Sequence, residues 1–297
     1  MKNKWLWVAL ASVLGFVLLF TGSVFIATAM LGGGKRLVGG SGVGLVEVKG
    51  LIIDSQEIVR ELNDFRKDDN VKAVVLRIDS PGGVVGPSQE IFAEVKKLAA
   101  RKKVVVSMGS IAASGGYYIA APASLILANP GTITGSIGVL MRFSNMEGLM
   151  GKIGMKSFTL KTGKFKDVGS PVRPMTDQDK AMLQNVIDST HGQFVKAVAE
   201  GRKLPIADVR AIADGRIFTG EQAMAHKLVD RLGTLQDAVE EAGRLAGIKG
   251  EPELIRPKKK KKLLLDMLVE EAAAKLGILA RQENEFSVNY ELEGAGR

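Results

Sequence analysis

A serine at a glycine-rich corner is the first residue in this chain whose setting could support catalysis. Ser114 lies in the stretch GSIAASGGYYIAAP (residues 109–122), behind two alanines and ahead of Gly115 and Gly116. The alanines leave the approach to the hydroxyl uncrowded. The glycines allow a close backbone approach and free amide donors at a helix start, which is how an oxyanion site is built. The stretch therefore indicates a nucleophilic serine.

A serine nucleophile needs a general base, and the composition limits the choice. The chain has no cysteine and only two histidines, His191 and His226. Both histidines fall in predicted helices, where we expect surface or packing roles. Without a histidine, the remaining base is a lysine that desolvation keeps neutral.

One segment offers several such lysines. LKTGKFKDVGSP (residues 160–171) contains Lys161, Lys164 and Lys166 between glycines. On a strand, Lys164 and Lys166 would share one face. A solvated basic hairpin is the alternative, and spacing alone does not choose the lysine.

The elements that would position these residues alternate between strands and helices. Apolar runs predict strands over 43–50, 73–79, 103–108 and 124–130, and helical spacing covers 55–67 and 88–102. A longer helix is predicted over 177–200 with Thr176 as its cap, and Thr219 caps another. Strands alternating with helices predict an α/β domain with parallel pairing.

Charge and composition exclude several classes of function. The net charge is +9, but Lys258 to Lys262 form one unbroken run, and aromatic residues make up only 5% of the chain. A nucleic-acid protein usually interleaves basic and aromatic residues, so we expect no nucleic-acid partner, and a polybasic strip near a bilayer fits better. Without cysteine there is no disulfide framework or zinc–thiolate site, and we predict no metal and no cofactor.

A membrane anchor is predicted at the N-terminus. Residues 5–31 carry no charge, and a spanning helix needs roughly 20 apolar residues. Trp5 and Trp7 lie at one edge, where aromatic rings prefer the headgroup layer. A cleaved signal peptide is the alternative, with ATA at 27–29 as its cleavage pattern. The run is longer than a signal h-region of about 7–15 residues. The basic residues slightly favour a cytoplasmic N-terminus.

Five blocks in order resemble a known family. They are IDSPGG, AASGGYYIA, GTITGSIGV, KTGKFKDVGSPVRPMT and ADGRIFTGEQAMAHKLVDRLG, within residues 43–248. Together they resemble the short, membrane-anchored form of bacterial signal peptide peptidase A. The resemblance implies a ClpP/crotonase-like fold and a Ser-Lys serine endopeptidase that degrades cleaved signal peptides or unfolded hydrophobic segments.

The resemblance also implies roles for individual residues. Ser114 would be the nucleophile and Lys166 the general base, with Lys164 as the second choice. Ser136 would hold and orient the lysine, and the amides of Gly83 and Gly115 would form the oxyanion hole. Ser136 as a turn residue and SPGG as a type II turn are the structural alternatives. The resemblance further implies a homo-oligomeric ring whose dyad is shared between adjacent subunits.

Three rival functions fit less well. A crotonase-like acyl-CoA enzyme would need an acidic or tyrosine acid/base and would rarely be anchored in a membrane. A stomatin-operon-type membrane serine protease uses the same dyad but usually carries further transmembrane segments. An inactive scaffold is disfavoured because Ser114, Ser136 and Lys166 are all present.

The predicted organisation has five parts. They are a cytoplasmic end (1–4), a transmembrane anchor (5–31), a Gly-rich linker (32–42), a catalytic domain (43–250) and a C-terminal extension (251–297). The extension has apolar residues at helical spacing after its lysine run, which fits a membrane interface or docking on a neighbouring subunit, and a polar tail expected to be disordered beyond Gln282. We expect a single-pass protein of the bacterial inner membrane, with its catalytic domain outside the cytoplasm.

Overall fold

The computed structural model describes residues 41–257, the backbone of Asn289–Glu291 and, nearer the N-terminus, Gly15 alone, which is helical. The predicted anchor over 5–31 therefore lies outside the described residues, apart from that glycine. Among the described residues, no helix is both long and apolar enough to cross a bilayer. The predicted helix after the lysine run also lies outside the described part. A compact unit begins at Ser41.

Short strands build one mixed sheet and one separate ribbon. The strands are β1 (Gly42–Lys49), β2 (Val71–Ser80), β3 (Gly82–Val84), β4 (Lys103–Ala113), β5 (Leu125–Ala128), β6 (Ile133–Gly135), β7 (Ile217–Phe218), β8 (Arg231–Leu232), β9 (Leu254–Ile255) and β10 (Asn289–Glu291). The sheet runs β7-β6-β4-β2-β1-β9, and β5 pairs with both β4 and β8. All of its pairs are parallel except β6–β7, as the alternating pattern predicts.

Helices cover both faces of this sheet. They are α1 (Gln56–Lys67), α2 (Val85–Ala99), α3 (Gly115–Ala120), α4 (Glu147–Lys152), α5 (Asp177–Arg202), α6 (Ile206–Ile212), α7 (Gly220–Ala225) and α8 (Leu235–Leu245). Thr176 and Thr219 cap α5 and α7, as predicted, each through a reciprocal capping box.

The two faces follow from the period-2 alternation of the strands. On β2, Val74, Leu76 and Ile78 pack into the core that includes α2, α3 and part of α5. On the same strand, Ala73 and Val75 point the other way, into a smaller core completed by α8. The result is a three-layer α/β arrangement in which the carboxyl ends of β2 and β4 reach one edge.

Strand β4 is longer than its apolar run predicts. The prediction ended it at Met108, but the strand continues to Ala113, directly before Ser114. The pairing of β2 and β4 jumps from Ile78 opposite Met108 to Ser80 opposite Ala112, so β4 carries two extra residues. The Asp79 carboxylate lies at this irregularity and accepts a hydrogen bond from the Ile111 amide (3.1 Å).

The irregularity splits the edge of β4 between two partners. Residues before it pair with β5, and residues after it pair with β6. Two threonine hydroxyls fasten the second partner, because Thr132 donates to the Gly109 carbonyl (2.7 Å) and Thr134 to the Ala112 carbonyl (2.7 Å). The GTITGS segment is thereby held beside the end of β4.

Two strands come from the segment after residue 250. Strand β9 extends the main sheet by pairing in parallel with β1. Strand β10 pairs antiparallel with β3, with Tyr290 opposite Gly83. These three residues lie in the tail for which disorder is expected beyond Gln282, and they form a strand here because β3 offers an edge that an extended segment can join.

Candidate active site

Ser114 occupies a strained corner between a strand and a helix. It follows β4 and precedes α3, and its φ of 54° lies in the left-handed region that non-glycine residues rarely adopt. Its amide donates to the Gly135 carbonyl (2.8 Å), and its carbonyl accepts from the Tyr118 amide (2.8 Å). Ser114 is only 1% exposed in the single chain. Its backbone is thus fixed on both sides.

The glycines after Ser114 let α3 approach the SPGG loop. A Cβ on Gly115 would lie 2.7 Å from the Ser88 hydroxyl oxygen and 3.2 Å from the Gly83 amide nitrogen. A Cβ on Gly116 would lie 2.8 Å from the Ser80 carbonyl oxygen. A side chain at either position would therefore collide, and the backbones of Gly83 and Gly115 lie side by side. Closeness of the two backbones is one condition for two amides to serve one oxyanion.

Gly83 is itself confined from the other side. Its neighbours pair with Ile52, which donates to the Gly82 carbonyl (2.8 Å) and accepts from the Val84 amide (2.8 Å). A Cβ on Gly83 would lie 2.2 Å from the Ile52 carbonyl oxygen. The loop is more than the type II turn that its sequence allows, because it forms β3, which pairs with strand β10 on one side and makes a single β-bridge to Ile52 on the other.

Ser136 directly follows the residue that accepts a hydrogen bond from the Ser114 amide. Gly135 is the β6 residue whose carbonyl accepts from the Ser114 amide, and Ser136 follows it with a φ of 51°. The Ser136 amide donates to the Arg216 carbonyl (2.8 Å), and the residue is 6% exposed. The two predicted serines are therefore brought together by backbone contacts, both in left-handed conformations.

The lysine segment is not a strand, so the shared face that a strand would give Lys164 and Lys166 does not form. Residues 162–169 form turns and a bend, and Gly163 and Gly169 have φ values of 79° and 81°. The ammonium of Lys164 lies over the Phe165 ring, 5.4 Å from its centroid. Lys166 is exposed, and no hydrogen bond among the described residues joins it to Ser114.

A charged network surrounds the residue next to Lys166. The Asp167 carboxylate bonds to Lys161 and to both Nε and Nη2 of Arg173. Arg173 also reaches Asp179 in the capping box of α5 (2.7 Å). The hydrogen bond from Arg173 holds the pKa of Asp179 at about 2, and Arg173 and Lys161 together hold the pKa of Asp167 well below its usual range.

The two histidines have the packing positions that the sequence predicts. His226 follows α7 with its ring 4.9 Å from the Phe218 ring. His191 lies in α5, and its Nε2 is buried without a hydrogen-bond partner in the described part of the chain. Neither histidine bonds to Ser114 there. The same part contains no group of three or more His, Cys, Asp or Glu residues arranged to hold a metal ion.

Sequence reasoning missed two residues around this site. Asp79 sets the register that carries Ser114 to the end of β4, and Arg173 ties the lysine segment to α5. The Asp of IDSPGG is a charged residue near the end of a mostly buried strand, which is a signal that could have marked it. Arg173 offered no local signal, because its partners are six residues away on each side.

The chain is similar to known peptidases. Residues 96–249 match the model of peptidase family S49. A candidate protease of Synechocystis sp. is 46% identical over 204 residues, which is 68% of this chain and 74% of that protein. A candidate protease of Methanocaldococcus jannaschii is 45% identical over 202 residues, covering 68% of this chain and 65% of that protein. A candidate signal peptide peptidase A of Enterococcus faecium is 38% identical over 62% of this chain and 54% of that protein.

Proposed function

Because this chain belongs to peptidase family S49, we propose that it is a membrane-bound serine endopeptidase working through Ser114 and Lys166. The observation that carries the proposal is the corner at Ser114. A buried serine with a strained backbone is followed by Gly115, whose backbone lies close to that of Gly83, and Ser136 lies one residue from the backbone partner of Ser114. Strain of this kind concentrates at functional sites.

The proposed reaction is acyl transfer to a serine. Lys166 Nζ, in its neutral form, takes the proton from Ser114 Oγ as that oxygen attacks the peptide carbonyl carbon. The amides of Gly83 and Gly115 stabilise the oxyanion, and the protonated lysine then gives its proton to the leaving amine. Water releases the acyl group in a second step. Ser136 orients the lysine amine.

The substrate is proposed to be an extended, hydrophobic peptide such as a cleaved signal peptide. Strand β3 supports this proposal, because the backbone of Asn289–Glu291 joins it in antiparallel pairing opposite Gly83. That edge can therefore take an extended chain by β-addition, in which backbone hydrogen bonds supply affinity. A substrate peptide would take the place of Asn289–Glu291 at this edge and would then pass beside the proposed oxyanion donors.

The dyad is proposed to form between adjacent subunits of a homo-oligomeric ring. Lys166 is exposed in one chain, whereas a lysine that acts as base has to be desolvated. Large apolar side chains of the same segment are also exposed, with Phe158 at 86% and Leu160 at 101%. Exposed apolar patches of this kind mark interaction surfaces. A neighbouring subunit would cover both the patch and the lysine.

The location is proposed to be the cell membrane, with residues 5–31 as the anchor and the catalytic domain outside the cytoplasm. The support is the uncharged run and its two edge tryptophans. Alkaline carbonate washing of membranes tests the anchor: the full-length chain should stay in the pellet. Release of a shorter chain, cut after residue 29, would indicate a cleaved signal peptide instead.

The experiment that tests the activity compares the full-length chain with Ser114→Ala on a synthetic signal peptide in detergent. Product peptides are followed by mass spectrometry. We expect wild type to cut within the apolar part and Ser114→Ala to lose nearly all turnover while keeping its thermal midpoint, since a catalytic pair acts as a unit. Equal turnover by both would contradict the proposal.

A further inference from the structure

Asp167 presents a problem for a catalytic lysine at position 166. A carboxylate close to a lysine favours the charged ammonium, and an ammonium cannot accept a proton. The Asp167 side chain is 11% exposed. Lys161, Lys166 and Asp167 are the charged residues that line one shallow groove. A catalytic Lys166 therefore requires another group that prevents the Asp167 carboxylate from pairing with its amine.

Arg173 pairs with the Asp167 carboxylate. Its Nε donates to Asp167 Oδ2 (3.0 Å) and its Nη2 to Asp167 Oδ1 (2.9 Å), which is the two-point pairing that a guanidinium forms best. The same Nη2 reaches the Asp167 carbonyl oxygen (3.3 Å). Lys161 takes a further bond to Oδ1. Both carboxylate oxygens are therefore engaged by groups other than Lys166.

The remaining nitrogen of Arg173 connects the lysine segment to α5. Nη1 donates to Asp179 Oδ2 (2.7 Å), and that oxygen also accepts from the Thr176 amide (3.0 Å) in the capping box. The Asp179 side chain is 4% exposed. One guanidinium thus bridges the residue after Lys166 to the first turn of a 26-residue helix.

Helix α5 leads back to the nucleophile of the same chain. Phe194 of α5 packs edge-on against Tyr118 of α3, with ring centroids 5.0 Å apart. Tyr118 also donates its amide to the Ser114 carbonyl. The bridge at Arg173 therefore links the lysine segment, through α5, to the part of the molecule that carries the serine corner.

We propose that Arg173 is a positioning residue for Lys166, which holds the lysine segment against α5 and keeps the Asp167 carboxylate from pairing with the lysine amine. This inference rests on the proposed role of Lys166 as general base. It separates two effects of the same side chain: a geometric effect through Asp179, and an electrostatic effect through Asp167. Other charged groups near Lys166 are Lys161 and Lys164, which carry no negative charge to replace that of Asp167.

The test uses Arg173→Gln in the full-length chain, assayed on a fluorogenic peptide in detergent over a pH series. Arg244→Gln is the matched control, because Arg244 makes the same two-point pairing, with Glu241 on α8. We expect Arg173→Gln to lower kcat about tenfold or more with KM nearly unchanged, since small misplacements of a reacting group are costly. The rising limb of its pH–rate profile should move to higher pH by roughly one unit, because the freed carboxylate stabilises the ammonium. Arg244→Gln should match wild type.

A second substitution separates the two effects. In Arg173→Gln with Asp167→Asn, the rising limb should return to the wild-type pH while kcat stays low, because the charge is gone but the bridge is still broken. The kcat and the rising limb of Arg173→Lys should lie between those of wild type and Arg173→Gln, since lysine keeps the positive charge but loses the two-point pairing of the guanidinium. A purely structural role would lower kcat without moving the limb, and that result would overturn the proposal.

The remaining outcomes of this experiment also test the inference about Arg173. Arg173→Gln with kcat and rising limb equal to those of Arg244→Gln would overturn the inference. If Arg173→Gln fails to fold, Arg173→Lys and Asp167→Asn are compared with wild type instead. A wild-type kcat and a wild-type rising limb of the pH–rate profile in both variants would overturn the inference. Lys166→Ala in the same assay distinguishes failure of the proposed general base from failure of the inference about Arg173. Turnover by Lys166→Ala would overturn the proposed base together with this inference, whereas an inactive Lys166→Ala beside a normal Arg173→Gln would overturn the inference alone.

Discussion

Backbone geometry at single residues distinguishes this site from an ordinary strand end. Ser114 and Ser136 both have φ values near 50°, and each is held there by backbone hydrogen bonds to a neighbouring segment. Gly83 and Gly115 have no room for a side chain, because each lies against backbone or buried atoms on the facing segment. The site therefore depends on the absence of side chains as much as on the serine hydroxyls.

The first prediction concerns Gly83. Replacing it with alanine should lower the free energy of unfolding by about 1–3 kcal/mol and abolish peptide cleavage, because the new Cβ would collide with the Ile52 backbone. Gly86→Ala is the matched control, since a Cβ there meets nothing within 4 Å. Thermal unfolding and peptide cleavage measure both variants. A fully active Gly83→Ala enzyme would contradict the packing described for β3.

At the scale of elements, the site is assembled where β4, β6 and β3 meet the start of α3. Strand β4 delivers Ser114, β6 brings Ser136 beside it, and β3 supplies Gly83 from the facing loop. Helix α5 supports this arrangement from behind through Phe194 and Tyr118. Packing of α5 therefore matters for stability, and its contacts differ sharply along its length.

The second prediction uses two glycines of α5. Gly192→Ala should raise the free energy of unfolding by about 0.5–1 kcal/mol, because alanine loses less backbone entropy and its Cβ meets nothing within 4 Å. Gly201→Ala should lower it by about 1–3 kcal/mol, because its Cβ would lie 2.3 Å from the Ala121 carbonyl oxygen. Thermal midpoints of the two variants should move in opposite directions. Shifts of the same sign would contradict the packing of α5 on the loop after α3.

Local signals explain how much of the fold could be predicted from the sequence. The β-branched run within β2 and the capping residue Thr176 were identified because pairing and capping preferences reside in neighbouring residues. The end of β4 could not be predicted, since its extended shape depends on Asp79 and on pairing with β6. The conformation of the lysine segment was left open between a strand and a basic hairpin, because its turns are accompanied by an ionic network centred on Arg173 that local spacing does not reveal. Contacts beyond the immediate sequence neighbours determine both the end of β4 and the conformation of the lysine segment.

At the scale of the whole molecule, the two members of the proposed dyad differ in their exposure within one chain. Ser114 is buried near Gly83 and Ser136, while Lys166 stands exposed in a segment with large apolar side chains facing solvent. A ring of equivalent, head-to-tail contacts would bring the lysine of one subunit to the serine of the next. The central claim is therefore that catalysis requires two copies of this chain.

Co-assembly of Ser114→Ala and Lys166→Ala chains tests this claim most directly. Each variant should be inactive alone, and the two are mixed in equal amounts, dissociated and reassembled, with mixing verified by differently tagged chains. If the dyad crosses the interface, about one quarter of the sites receive a native serine and a native lysine by random placement around the ring. We predict peptide cleavage near that fraction of the wild-type rate. No detectable cleavage in a verified mixed assembly would mean that both residues come from one chain, and would contradict the shared site.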